Sequence, residues 1–133
     1  MIFVDTSFWI ALRNRRDAMH DQARALRDRH GDEPLVTTNH VRGESATFLR
    51  RRVGHGAAVD LLDVLERSPR VQVVQVPEPL ENEALQWLRR RDEREYSYVD
   101  ATSFALMRAR RMRRALAFDG DFSAAGFEEL RSK

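Results

Sequence analysis

Apolar residues occur in short runs separated by stretches of helical periodicity. Ile2, Phe3 and Val4 follow one another without a polar break, as in a strand covered on both faces. Asp5-Thr6-Ser7 closes the run with residue types favoured at helix N-caps, and Phe8 to Arg13, carrying Trp9, Ile10 and Leu12, reads as a short helix. Asp17 is the expected cap of a second helix, along which Met19, Ala23, Leu26 and His30 recur until Gly31-Asp32. Leu35 to Thr38 forms the second strand, with Asn39 capping the helix that follows. On that helix Val41, Glu44, Phe48 and Arg52 share a face, which places a glutamate in an apolar stripe. Such a local inconsistency tends to mark function.

After Gly54 and Gly56, the residues Ala58, Val59, Leu62 and Leu65 predict the inner face of a helix whose outer face carries Asp60, Asp63 and Glu66. Val71 to Val76 reads as the third strand, closed by Pro77 and Pro79, and Leu80, Ala84, Trp87 and Leu88 follow a clean helical spacing. Ala101, Phe104, Ala105 and Met107 give a further helix running into Arg114, and Ala115 to Phe118 a fourth strand ending at Asp119. The last residues are expected to add a short edge strand. Strands alternating with helices argue for one α/β domain over residues 1–133, with a mostly parallel sheet of four or five short strands and helices on both faces.

Composition narrows the chemistry. The 133 residues include 23 basic and 21 acidic side chains, a net charge of +2, and no cysteine. Disulfides, thiol catalysis and thiolate metal sites are therefore excluded. All the basic residues but Lys133 are arginine, which removes mechanisms needing an internal amine. No apolar run approaches the roughly 20 residues of a membrane span, and the charge order of the first residues is wrong for a signal peptide. A reducing cytoplasm is the expected setting.

Position turns the near-balance of charge into a signal. Ligands of open α/β sheets sit outside the carboxyl ends of the strands. Asp5 follows the first strand, Asp119 follows the fourth, Asp100 stands near the start of the helix before it, and Glu44 lies about one turn into the helix after the second. Taken singly, Asp5 and Asp100 read as helix caps, Asp119 as a turn residue and Glu44 as an arginine's partner. Taken together, four converging carboxylates would repel one another unless a cation joined them. An all-oxygen donor set favours Mg²⁺ or Mn²⁺ over zinc. His20, His30, His40 and His55 show no metal-ligand spacing and read as surface or capping residues. Arginine clusters, among them Arg50 and Arg51 and then Arg108 and Arg111, suit the flanking phosphates of a nucleic acid, or are simply solvated. Metal-dependent phosphodiester hydrolysis is the hypothesis that joins these features. It does not separate RNA from DNA.

The same residues resemble the PIN-domain nucleases, and more closely the VapC toxins of bacterial VapBC toxin–antitoxin pairs. The likeness is carried by Val4-Asp5-Thr6-Ser7, by Glu44, by the run Ser97 to Phe104 and by the run Ala117 to Phe122. The short C-terminus departs from the family's pattern where a last edge strand would lie. The resemblance implies that Asp5, Glu44, Asp100 and Asp119 bind metal and serve catalysis, with Asp121 assisting. It implies that Thr6 and Ser7 hydrogen-bond around the first carboxylate, and that Thr102 and Ser103 shape the pocket beside the third. It further implies Mg²⁺- or Mn²⁺-dependent endoribonuclease activity, a homodimer and a cognate VapB-type antitoxin. A PIN-type RNA-processing nuclease and a non-catalytic RNA-binding module are the competing readings. Trp87, in a regular apolar stripe, is expected in the core.

Overall fold

The structure is a computed structural model and describes residues 1–132. Twelve elements follow one another: β1 (Ile2–Val4), α1 (Thr6–Arg13), α2 (His20–Arg29), β2 (Leu35–Thr38), α3 (Asn39–Arg52), α4 (His55–Arg67), β3 (Val71–Val74), α5 (Glu78–Arg90), α6 (Tyr98–Ala109), β4 (Arg114–Leu116), α7 (Asp121–Ala124) and β5 (Glu128–Glu129). The five strands form one all-parallel sheet in the order β3-β2-β1-β4-β5, so the expected edge strand is present.

Register decides which side chains face which layer. Ile2 pairs with Leu35 and Val4 with Leu116, while Phe3 lies between Val36 and Ala115. Because side chains alternate along a strand, Ile2, Val4, Leu35 and Leu116 share one face and Phe3, Val36 and Ala115 the other. Leu35 and Leu116 meet residues of α1, α2 and α4. Phe3 stacks on Phe122 at 5.8 Å, and Phe122 in turn meets Phe104 of α6 at 4.8 Å. Both faces are thus covered by helices, which is why β1 shows no polar break. Helix α6 is buried continuously from Asp100 to Met107. Trp87 lies against Phe104 at 5.4 Å and belongs to the core, as its stripe predicts.

Several local expectations change. The cap of α3 is Thr38, whose hydroxyl accepts from the Val41 N–H, and Asn39 is the first helical residue. Asn39 is used elsewhere: its side chain accepts from the Val76 N–H. The buried face of α3 is Val41, Ser45 and Leu49, one position on from the predicted stripe, so Glu44 and Phe48 are exposed. Helix α4 likewise buries Ala58, Leu61 and Leu65, leaving Val59 and Leu62 exposed. In both helices a spacing of four carries the buried row (Val41-Ser45-Leu49 and Leu61-Leu65), which a count of threes and fours does not distinguish from its neighbour. Helix α2 begins at His20 without a side-chain cap, although Asp17 accepts from the Met19 N–H just before it.

Candidate metal centre

Strand order places the site. The chain steps from β1 to β2 to β3 in one direction and then resumes at β4 on the other side of β1, so the topology switches between β1 and β4. A crevice opens at the carboxyl ends of such a pair. The Asp5 N–H donates to the Leu116 carbonyl at 3.0 Å, and the Phe118 N–H donates to the Ser7 hydroxyl at 3.0 Å. The two strand ends are therefore stitched together directly beneath Asp5 and Asp119.

Above the stitch lies a cleft of about 320 Å³ whose walls include Asp5, Glu44, Glu95, Asp100, Asp119 and Asp121, together with Thr6, Ser7, Ile10 and Ser97. Among the described residues, no basic side chain lines it. Asp5 is the N-cap of α1 and accepts from both the N–H and the hydroxyl of Ser7, at 3.2 and 2.8 Å. Asp100 forms a capping box with Ser97: its carboxylate accepts from the Ser97 N–H at 3.0 Å, and the Ser97 hydroxyl accepts from the Asp100 N–H at 2.9 Å. Capping and site membership are not alternatives here; the cap is what fixes each carboxylate in the cleft. Asp119 precedes Gly120, whose φ of 83° lies in the left-handed region. That turn brings the Asp121 N–H onto Asp119 Oδ1 at 3.1 Å.

One oxygen from each of Asp100, Asp119 and Asp121 lies within 4.8 Å of the others, a separation one cation can span. Asp5 and Glu44 line the same cleft but stand outside that tight group among the described residues. Burial, helped by the charge of Asp119, pushes the Asp5 carboxyl up to about 7 from an ordinary 3.8. Burial also raises Asp100 to about 7, with Asp121 and Asp119 adding repulsion against the opposing bond from Ser97. Asp119 is raised as well, chiefly by burial and then by its acidic neighbours. A cleft that holds its carboxylates at this cost, on oxygen donors only, fits a hard divalent cation. The buried Thr6 hydroxyl at its wall, which has no hydrogen-bond partner, points the same way.

Arg94 and Glu95 are the residues sequence reasoning missed. Arg94 Nε donates to Asp121 at 2.6 Å and Nη2 to the Asp119 carbonyl at 3.0 Å, so one guanidinium braces the whole turn. The left-handed φ calls for glycine at position 120, and a side chain there would also crowd Arg94 Nη2 at 3.0 Å. The charged stretch before Tyr96 gave the only signal, and it did not single out either residue. Thr102 and Ser103, expected beside the third acid, lie outside the cleft: both are fully buried and donate their hydroxyls to the Val99 carbonyl within α6. Hydroxyls one turn into a buried helix find the preceding turn's carbonyls before anything outside.

The arginines divide. Arg51 and Arg52 share a surface groove with Glu44 and Phe48, next to the cleft. Arg50 donates to His55 at 3.0 Å on the neighbouring surface. Arg108 and Arg111 are elsewhere. Helix α6 starts at the cleft and runs back to the amino end of β4, about 18 Å at 1.5 Å per residue. Its last turn therefore sits at the wrong end of the sheet for a substrate held at Asp100. Arg108 pairs with Glu83 at 3.5 Å and lies over Trp87, while Arg111 takes a left-handed φ of 55° to end the helix.

A family model described as PIN domain matches residues 2–128. The 23S rRNA-specific endonuclease VapC20 of Mycobacterium tuberculosis, from strains H37Rv and CDC 1551, is 54% identical over 133 residues, covering 98% of each chain. The crystal structure of Mycobacterium tuberculosis VapC20, a sarcin-ricin loop cleaving toxin, superposes with a TM-score of 0.93 at 52% identity, over 99% of this chain and 100% of that one.

Proposed function

We propose, from the premise that the chain belongs to the PIN-domain family and within it to the VapC toxins, that the acidic cleft hydrolyses a phosphodiester bond in 23S ribosomal RNA. The observation that carries the reading is the convergence of Asp100, Asp119 and Asp121 within 4.8 Å, with Asp5 and Glu44 on the same cleft. The sarcin-ricin loop is the segment of choice, because the relative of known structure acts there and shares 52% of its residues. Asp100, Asp119 and Asp121, the last tied by Arg94, would hold Mg²⁺ or Mn²⁺ together with Asp5 and Glu44 from the same cleft. When bound, such an ion supplies a nucleophilic water at neutral pH and compensates charge developing on the phosphate. The chain's own residues do the positioning. Ser7 and Ser97 orient Asp5 and Asp100 through N-cap bonds, and the Arg94 brace fixes Asp119 and Asp121. Glu44, exposed at the mouth between the cleft and the Arg51–Arg52 groove, would receive a proton or orient the attacking water.

A cytoplasmic homodimer held in check by a VapB-type antitoxin is the assembly that goes with this reading. No helix among the described residues is long and apolar enough to cross a membrane. The test is cleavage of intact ribosomes or of a synthetic sarcin-ricin stem-loop, with product ends mapped by primer extension. A single cut needing Mg²⁺ or Mn²⁺ and absent in Asp100→Asn is expected. RNA binding that survives EDTA without any product would instead make the chain a binding module.

A further inference from the structure

A second cavity lies on the opposite side of α1 from the acidic cleft. It has a volume of about 120 Å³ and an apolar floor that includes Phe8, Leu26, Leu35 and Leu116. An apolar cavity of about 150 Å³ stays dry and takes up benzene, so this one has room for a small ring or a branched alkyl group. Its polar wall has a single sign. Arg13, Arg27 and Arg70 line it and no aspartate or glutamate does, in a chain with 21 acidic residues.

Two of the polar groups in that wall are unspent. Trp9 is 2% exposed, and its indole Nε1 is buried without an acceptor. Arg13 Nε is buried without an acceptor as well. The neighbouring arginines are engaged: Arg70 donates to the Glu33 and His30 carbonyls at 3.3 and 3.2 Å, and Arg27 to Asp28 at 3.3 Å. Arg13 makes no hydrogen bond or close ion pair among the described residues, although the charge of Asp60 favours its guanidinium and that of Arg27 opposes it. Leaving buried donors unsatisfied costs on the order of 1–3 kcal/mol each. Both orphans are donors, so the missing partner is an acceptor. Beside a guanidinium that makes no hydrogen bond, in a wall without a carboxylate among the described residues, it is an anion, and next to this floor it has an apolar body.

We propose that this cavity is a binding site for a small organic monocarboxylate, a ring or branched-alkyl acid whose carboxylate meets Arg13 and the Trp9 indole while its body fills the apolar floor. The site is independent of the nuclease reading, because it shares no lining residue with the acidic cleft.

The chain has two tryptophans, so a ¹⁵N-labelled sample gives two indole signals, with Trp87 of α5 as the internal reference. The probes are benzoate and the uncharged benzyl alcohol. Titration of the full chain with benzoate is expected to shift the Trp9 indole saturably and leave Trp87 in place. Benzyl alcohol should bind at least tenfold more weakly, and Arg13→Gln should weaken benzoate by a similar factor. Val64→Phe, which fills the cavity from α4, should abolish binding. Absence of a saturable Trp9 shift in the wild-type chain overturns the proposal, as does equal binding of the two probes. Undiminished benzoate binding to Arg13→Gln or Val64→Phe overturns it too. The two-probe comparison on the wild-type chain decides the matter even where a variant fails to fold.

Discussion

Replacing Asp5 by asparagine tests the physical account of the cleft without needing a substrate. The asparagine carbonyl can still accept from the Ser7 N–H and hydroxyl, so the N-cap of α1 and the stitch to Phe118 survive. What disappears is a carboxylate that folding raises from 3.8 to about 7. The sign follows from linkage. Between those values the native chain holds a proton that the unfolded chain has lost, so native stability falls as pH rises across the window. Each pKa unit is worth 1.36 kcal/mol. The cost of Asp5 is about 2 kcal/mol at pH 5 and reaches about 4 kcal/mol at pH 8. Asparagine stays neutral, so without metal the variant should be the more stable protein, and its advantage should grow by about 2–3 kcal/mol from pH 5 to pH 8. At roughly 3–5 °C per kcal/mol for a chain of this size, the gap in melting temperature should widen by about 6–15 °C. Circular-dichroism melts in EDTA at the two pH values measure it. Adding Mg²⁺ or Mn²⁺ should then raise the melting temperature of the wild type well above that of the variant's metal-free gain alone, while leaving Asp5→Asn nearly unmoved. A variant that melts at or below the wild type at pH 8 in EDTA, or a gap independent of pH, would refute the reasoning.

Arg94→Ala frees the Asp119–Asp121 turn and leaves those two acids without their brace; more metal should be needed for half-maximal cleavage, with the rate at saturating Mn²⁺ recovering to within a few fold, as a metal titration of activity would show. Ser7→Ala removes the acceptor of the Phe118 N–H and a donor to Asp5, and should lower stability by about 1–3 kcal/mol in urea melts. On α3, Leu49→Ala should cost about 2–5 kcal/mol and Phe48→Ala under about 1 kcal/mol; equal costs would restore the predicted stripe over the observed one. Arg51→Gln should flatten the salt dependence of RNA binding by about one unit of slope, whereas Arg111→Gln should leave the slope unchanged, by filter binding at several salt concentrations.

What could be read from the residues was whatever depends on neighbours in sequence. A strand of three apolar residues followed by a capping triad placed Asp5, and the onset of a helical stripe at Ala101 placed Asp100 at a helix start, because both rely on residues within a single turn. The phase of α3 was not legible for a definite reason. Ser45 is fully buried though polar, and Phe48 is exposed though apolar, so the hydrophobic pattern is rotated away from the buried face. Packing between α1, α4 and α6, not periodicity, sets which face turns inward. Arg94 was out of reach on other grounds: its partners lie 25 and 27 positions away, and only the strand order brings that loop beside the β4–α7 turn.

The near-balance of charge in the composition follows from the same topology. Parallel strands put every carboxyl end on one side, and there six acids line a single cleft without a basic residue among them. A helix returning from that side to start the next strand necessarily carries its last turn to the other end, and α6 carries Arg108 in that turn, with Arg110 as its C-cap and Arg111 just beyond. Positive ends also suit a helix C-terminus, where the macrodipole favours them. The arginines of α6 are thus accounted for by the helix itself. The groove of Arg51 and Arg52, by contrast, shares Glu44 with the acidic cleft, so its charge lies beside the carboxylates. Of the Arg51–Arg52 and α6 arginines, it is the first pair that borders the acidic site.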